Sequence, residues 1–288
     1  MNENMRALII KPLQWVAKYA AASYIAGSEA EDAIRVCRQI AERGLSSAIG
    51  PWDGPHDSPE YVVSTYKSAL KSIKAENLDC YLSIKVPSMK YDFESMRELV
   101  EIARGKGIRV HFDSLAPNTA SPSLSLLEKT SEIYRKVSYT LPSRWRRSIT
   151  DAEKIIDFGI PVRIIKGQWS DPGEPNIDPR SNFLYLVDIL AGRAAQVAIA
   201  THDIALAKES LTRLKVLGTA CELEQLYGLP MRIDSVAKPL GVPVRIYVPY
   251  GYAYLSYALS AMRKRPIILV WLLKDFLAGI RKTIRERQ

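Results

Sequence analysis

The stretch PVRIIKGQWSDPGEPNIDPRSNFLYLVDILAGRAAQVAIATHD (161–203) holds one complete repeat of the chain. It opens on a short β-branched run, Pro161 to Lys166, that stops at Gly167 and a loop rich in Pro, Gly and Asp. A stretch with helical period follows, Asn182 to Arg193, and then a second short apolar run, Gln196 to Ala200. Strand, helix and strand in that order predict a βαβ unit in a parallel sheet. Working outward, the same alternation recurs about every 30 residues, the length of a βαβ unit. Further strands are predicted at Leu45 to Gly50, Leu78 to Lys85, Ile108 to Asp113, Lys136 to Leu141, Thr219 to Leu223 and Pro243 to Val248. Helical stretches fall at Pro59 to Ala75, Phe93 to Lys106, Ser123 to Arg135, Asp151 to Phe158 and Ile204 to Leu217, with Ser58 and Thr150 as expected caps. Eight units with no glycine-rich dinucleotide fingerprint after the first strand favour closure over an open doubly wound sheet. The expectation is an α/β chain, one (β/α)8 TIM-like barrel over 1–288, with an N-terminal helical arm at 1–28 and a basic C-terminal helix at 266–288.

Composition sets limits on function. The 288 residues are 47% hydrophobic and 25% charged, which is globular composition without a case for disorder. Three cysteines, Cys37, Cys80 and Cys221, are odd in number and far apart, so they suggest neither a disulfide framework nor a zinc site, and a reducing cytoplasm is expected. The apolar run Ala7 to Ile25 is interrupted by Lys11, Pro12, Gln14 and Lys18, which favours an amphipathic helix over a spanning one or a signal peptide. The net charge is +9, concentrated in Arg144, Arg146 and Arg147 and in Arg263, Lys264, Arg265, Lys274, Arg281, Lys282, Arg285 and Arg287. A solvated helical face is the plain reading; an anionic membrane surface is a second, which would place the protein peripherally on the inner face of the membrane. No motif supports nucleic acid.

Chemistry in such a barrel collects where strands end. Lys85 closes the second strand in YLSIKVPS, Asp113 the third in VHFDS, Arg163 and Lys166 lie on the fifth, and Thr201 and His202 close the sixth. Glu222 and Glu224 are expected to follow the seventh strand, and Tyr247 sits in the eighth. A hydrolase wants a nucleophile with its base or paired carboxylates, whereas cations, hydroxyls and aromatics suit a large anionic cofactor. Three dispersed histidines argue against a catalytic metal.

Four segments in this order, VRIIKGQW (162–169), AIATHD (198–203), ELEQLYGLP (222–230) and RIYVPYG (245–251), resemble the catalytic barrel of the proline dehydrogenase family over most of 30–280. The resemblance implies a flavoprotein of proline catabolism and amino-acid degradation, with FAD, less readily FMN, over the top of the barrel. It implies an oxidoreductase acting on CH–NH that turns L-proline into 1-pyrroline-5-carboxylate and passes electrons to a quinone or another acceptor. Carried over position by position, Arg163 matches the arginine beside flavin N5, and a fixed positive charge there favours reduced flavin. Lys166, Gly167, Trp169, Ala200, Thr201 and His202 match cofactor contacts, Thr201 and His202 those to the phosphate and ribityl part. Asp113 matches an aspartate beside the substrate, Lys85 a lysine pairing with its carboxylate, and Trp169, Tyr247 and Tyr257 the walls around a five-membered ring. Trp169 stands where the family has tyrosine.

One departure bears on the substrate. The family carries two arginines three and four residues after the last tyrosine, whereas Ser260 and Ala261 follow Tyr257 here. Neither side chain can grip a carboxylate as a bidentate arginine does. Arg263 is the nearest basic replacement. A second departure is the lack of a glutamine in 137–148. The alternatives are a flavoenzyme for another secondary or cyclic amine, and a non-catalytic flavin- or membrane-binding barrel.

Overall fold

A computed structural model describes residues 24–54 and 56–253. The two terminal elements expected at 1–28 and 266–288 fall almost wholly outside the described residues, as do Tyr257, Ser260, Ala261 and Arg263. Eight strands close into a parallel barrel: β1 (Ser46–Pro51), β2 (Cys80–Ile84), β3 (Val110–Phe112), β4 (Val137–Pro142), β5 (Val162–Ile165), β6 (Val197–Ala200), β7 (Cys221–Leu226) and β8 (Val244–Tyr250). Closure is made by β1 and β8, paired in register from Ser46 with Arg245 to Pro51 with Tyr250. Helix α1 (Ala30–Ala41) precedes the barrel and packs on both β1 and β8. The outer ring continues with α2 (Pro59–Ala75), α3 (Phe93–Arg104), α4 (Ala120–Ile133), α5 (Ser148–Phe158), α6 (Pro179–Leu190) and α7 (Ile204–Val216). A short helical stretch at 233–240 joins β7 to β8. Among the described residues no helix is long and apolar enough to cross a membrane.

Local chemistry explains the helix starts. Ser58 accepts the amide of Tyr61 and Pro59 takes the first position of α2, where its missing N–H costs nothing. Asp92, Asp178 and Asp203 do the same for α3, α6 and α7, each accepting amides of the first turn. The cap expected at Thr150 is corrected: α5 starts at Ser148, and the Thr150 hydroxyl bonds back to the Arg147 carbonyl from inside the first turn. Ser148 itself ties to the Pro142 carbonyl at 2.6 Å, so the chain turns into the helix directly from β4.

The strands divide their two faces sharply. Leu82, Ile84, Val110, Phe112, Val162, Ile164, Ile199 and Leu223 lie in the apolar core shared with the helices. The alternate positions carry Tyr81, His111, Thr140, Arg163, Glu222, Glu224 and Arg245, which bond to one another across the lumen. Barrels of this class ordinarily fill that space with Val, Ile and Leu. A polar lumen is stable only when its members satisfy each other. At its lower end Arg245 donates from Nε to Glu222 Oε1 at 3.0 Å and from Nη1 to the Ser47 carbonyl at 2.8 Å. Both side chains of the Arg245–Glu222 pair are nearly solvent-free. Arg245→Met is therefore expected to lower unfolding stability by about 3 kcal/mol in urea titration, since it strands a buried carboxylate. A change under ~1 kcal/mol would mean that the lumen is wet rather than closed.

Candidate active site

Arg163 is the hub of the upper lumen. The register of β5 places it beside Thr140 on β4 and Ala198 on β6. Its Nε donates to Thr140 Oγ1 at 3.0 Å, Nη1 to Glu224 Oε1 at 2.7 Å and Nη2 to Asp113 Oδ1 at 2.8 Å. Burial works against its charge, yet Glu224 and Asp113 outweigh that and hold it protonated well above the usual range. Of its five N–H donors, three are engaged among the described residues, which leaves two for a ligand. The Tyr247 ring lies 5.5 Å from the guanidinium.

Glu224 corrects the expectation for the seventh strand. Glu222 and Glu224 lie within β7, not after it, and both face the lumen. The signal was present in CELEQL: two acids two residues apart in a strand share one face. Read as polar loop residues they end the strand early; paired with arginines they continue it. Glu224 also accepts the Tyr81 hydroxyl at 2.7 Å, and burial, then Glu224, pushes that phenol well above its ordinary pKa. The consequence at the rim is electrostatic. Arg163 was expected to present a fixed positive charge, but two carboxylates balance it here.

Lys85 follows β2 directly and crosses to the end of β1. Its Nζ donates to the Pro51 carbonyl at 2.7 Å, stands 3.8 Å from Asp53 Oδ1, and lies 5.8 Å from the Trp52 ring centroid. Burial lowers its pKa, while Asp53 and Asp113 oppose the shift. Asp113 spends Oδ1 on Arg163 and on its neighbour Ser114 N, at 2.9 Å for the latter. Its Oδ2 has no hydrogen-bond partner among the described residues and remains for a ligand. Trp52 and Asp53, which the sequence did not single out, complete this side: Trp52 lies near the Tyr247 hydroxyl, and Asp53 Oδ2 accepts from Ser88. Tyr247 is held neutral, burial being the main cause and Asp113 the next.

Gly50 is part of the same construction. A Cβ added there would lie 2.1 Å from the Tyr247 hydroxyl, so only glycine lets that ring reach its place. Gly50→Ala is expected to displace Tyr247 and cost about 1–3 kcal/mol, as overpacking of a filled core does. Urea unfolding of Gly50→Ala alone and combined with Tyr247→Phe checks this: ring atoms Cζ and Cε2 would still lie 2.7 and 2.8 Å from the added Cβ, so removing the hydroxyl should recover only part of the loss.

The other expected residues line the adjoining arc at the ends of β5 and β6. Lys166 and Gly167 follow β5; Gly167 has φ +84°, and a Cβ there would sit 2.8 Å from that of Pro142. The loop beyond is fastened by the Trp145 indole, which donates to the Trp169 carbonyl at 3.0 Å, leaving the Trp169 side chain 38% exposed. Ala200 ends β6, and Thr201 Oγ1 accepts the Asp203 amide at 3.1 Å. His202 accepts the Leu226 amide on Nε2 at 3.0 Å, so its proton sits on Nδ1, near the Pro230 carbonyl but without a well-formed bond. Burial, helped by Arg232, keeps the ring neutral. The structure thus brings Lys85, Asp113, Arg163 and Tyr247 together and sets Lys166, Gly167, Trp169, Ala200, Thr201 and His202 on the neighbouring strand ends. A cation hub with spare donors, a free carboxylate oxygen, an ammonium and an aromatic wall can hold a small polar ring against a flat anionic group.

No family model matches the chain. Curated relatives do. The chain is 24% identical over 279 residues to proline dehydrogenase 1 of Bacillus subtilis strain 168, covering 90% of this chain and 91% of that protein. It is 22% identical over 270 residues to proline dehydrogenase 2 of the same organism, covering 88% of each. Among solved structures, proline utilization A (PutA) from Bdellovibrio bacteriovorus, inactivated by N-propargylglycine, superposes with a TM-score of 0.73 at 14% identity. That match covers 85% of this chain and 32% of the PutA chain, so this chain spans about a third of that structure's length. The chain is similar to proline dehydrogenases in sequence along nearly its whole length, and it shares the barrel fold of PutA.

Proposed function

We propose that this chain is a flavin-dependent dehydrogenase of the proline dehydrogenase type, oxidising L-proline to 1-pyrroline-5-carboxylate with FAD at the carboxyl rim of the barrel. The observation that carries the reading is the Arg163 hub, which among the described residues keeps two unspent N–H donors beside an Asp113 Oδ2 without a partner. The likeness to curated proline dehydrogenases supports it. The residues present fit a flavin. Lys166 is an exposed cation without a salt bridge among the described residues, Thr201 donates its hydroxyl proton to none of them, and Gly167 lets backbone approach closely. Lys166, Thr201 and His202 would hold the phosphate and ribityl part, and Arg163 the flat ring.

When bound, the flavin supplies the two-electron hydride acceptor. The chain's own residues bind and orient. Lys85 Nζ pairs with the substrate carboxylate, exchanging its bond to the Pro51 carbonyl for a charge-assisted one. Asp113 Oδ2 holds the ring N–H, which fixes which carbon faces the cofactor. Tyr247, neutral and half-buried, closes one side of the ring's place. The polar lumen below makes the hub rigid, so that Arg163 does not reorganise during the reaction. Electrons leave to a quinone or another acceptor, and a basic contact with an anionic membrane surface would suit a quinone.

Anaerobic addition of L-proline to the yellow protein is expected to bleach the flavin band in proportion to enzyme. A flavin-loaded protein bleached by neither L-proline nor pyrrolidine would refute the reading. A second reading, oxidation of another cyclic secondary amine, is favoured by charge. Asp53, Asp113 and Glu224 outnumber Lys85 and Arg163 around the ring's place among the described residues, which suits a cation better than an amino acid's carboxylate. Bleaching by pyrrolidine and not by L-proline selects it.

A further inference from the structure

Behind the end of β1 lies a cavity of about 200 Å3 between β8 and the starts of α1 and α2, reaching Pro51 and Asp53 beside Lys85. Its walls are aromatic and acidic. Tyr61 and Tyr252 meet edge to face, with centroids 6.5 Å apart. Tyr250 forms another wall, and Asp53, Asp57 and Glu29 supply carboxylates. Among the described residues no lysine or arginine lines it.

Two buried atoms in this lining lack hydrogen bonds. Tyr250 is 2% exposed, yet its hydroxyl has no partner among the described residues. Asp53 Oδ1 accepts no hydrogen bond either, although Lys85 stands 3.8 Å away. Such orphans are uncommon in a folded interior and point to a missing partner. Among the described residues Asp57 has no cationic partner, and its oxygens accept only the Gly54 amide, at 2.7 Å, and the Tyr252 hydroxyl. Burial, and after it Glu31 and Glu29, raise the pKa of Tyr250.

These features select one ligand chemistry. An anion is excluded by the acids. A metal ion wants converging ligands, and among the described residues no three His, Cys, Asp or Glu side chains converge to hold one. Aromatic faces with nearby carboxylates attract an organic cation, and a tyrosine oxygen without a donor accepts an N–H from it. We propose that the cavity beside β1, which adjoins the rim at Trp52 and Asp53, is a second site that binds a small organic ammonium ion against Tyr61, Tyr252 and Tyr250, with Asp57 as its counter-charge.

The test uses the purified, flavin-loaded chain and dimethylammonium as the probe, followed by saturation-transfer NMR of its methyl signal. Propan-2-ol serves as the neutral probe of similar shape. Dimethylammonium should show saturable transfer and propan-2-ol none. Tyr61→Ala and Asp57→Asn should each raise the Kd of dimethylammonium about tenfold or more, and Tyr61→Phe should keep it within about twofold, since the ring face and not the hydroxyl is required. Flavin content and its reduction at the rim should be the same in all three variants. No transfer in the parent protein, equal transfer from both probes, or unchanged Kd in Tyr61→Ala and Asp57→Asn would each overturn the site. None of these outcomes touches the proposed oxidation, which the bleaching experiment decides separately.

Discussion

Arg163→Met should destabilise the chain by about 4 kcal/mol and abolish flavin retention together. The reason is the geometry of the hub. Removing the guanidinium leaves Asp113 and Glu224 facing each other's charge in a lumen where Glu224 is nearly solvent-free. Breaking a buried pair from one side typically costs about 3–5 kcal/mol, because the remaining charge has lost water without gaining a partner. Here one substitution strands two acids. The effect also reaches the Thr140 hydroxyl, which loses the Arg163 Nε and keeps only His111 and Asp113. Urea titration of Arg163→Met against Arg163→Met/Glu224→Gln separates charge from packing. The double variant should recover part of the stability but none of the flavin, since the ligand donors stay absent. A single variant within ~1 kcal/mol of the parent would show that water reaches the hub.

Lys85→Met should have the second largest effect, and it falls on the substrate. The cation is the described residue placed to meet a substrate carboxylate, so its loss should lower kcat/KM for L-proline about 100-fold, through KM more than kcat. Pyrrolidine, lacking the carboxylate, should be oxidised equally well by both proteins. Equal loss for both amines would assign Lys85 to the architecture around Pro51 and Asp53 instead. Its pH behaviour adds a sign. Burial lowers the Lys85 pKa below its usual 10.5, so the hold on a carboxylate weakens as pH rises through that lowered value. The same shift means that the unfolded chain binds more protons between the lowered value and 10.5, and stability contributed by this group rises with pH across that window.

The barrel was legible in the chain because each strand is a short apolar run closed by Gly, Pro or Asp, with a helix of clear period behind it. Pro59 to Ala75 was placed to the residue, helped by Ser58 and Pro59. Helix α1 was not read. Its buried positions Ala33, Ile34, Cys37 and Ile40 do follow helical spacing, but acidic and basic residues alternate with them, and the helix stands ahead of the first strand, outside the repeat. The site was half legible. Strand-end residues such as Lys85, Asp113 and Thr201 declare themselves by position. Partners inside the lumen do not, because Tyr81 or Glu224 in a strand looks like an outward polar residue until closure turns that face inward. Asp53 and Trp52 were hidden for another reason: they enter the site through a loop after β1 that carries no motif.

The central claim is that the strand ends β5 and β6, with Arg163, hold a flavin. Titrating flavin-stripped protein with FAD and following quenching of flavin fluorescence tests it most directly. The account predicts saturable one-to-one binding to the parent chain, weakened about tenfold or more in Lys166→Met and lost in Arg163→Met/Glu224→Gln. Binding that is absent in the parent, or equally tight in all three proteins, would contradict it.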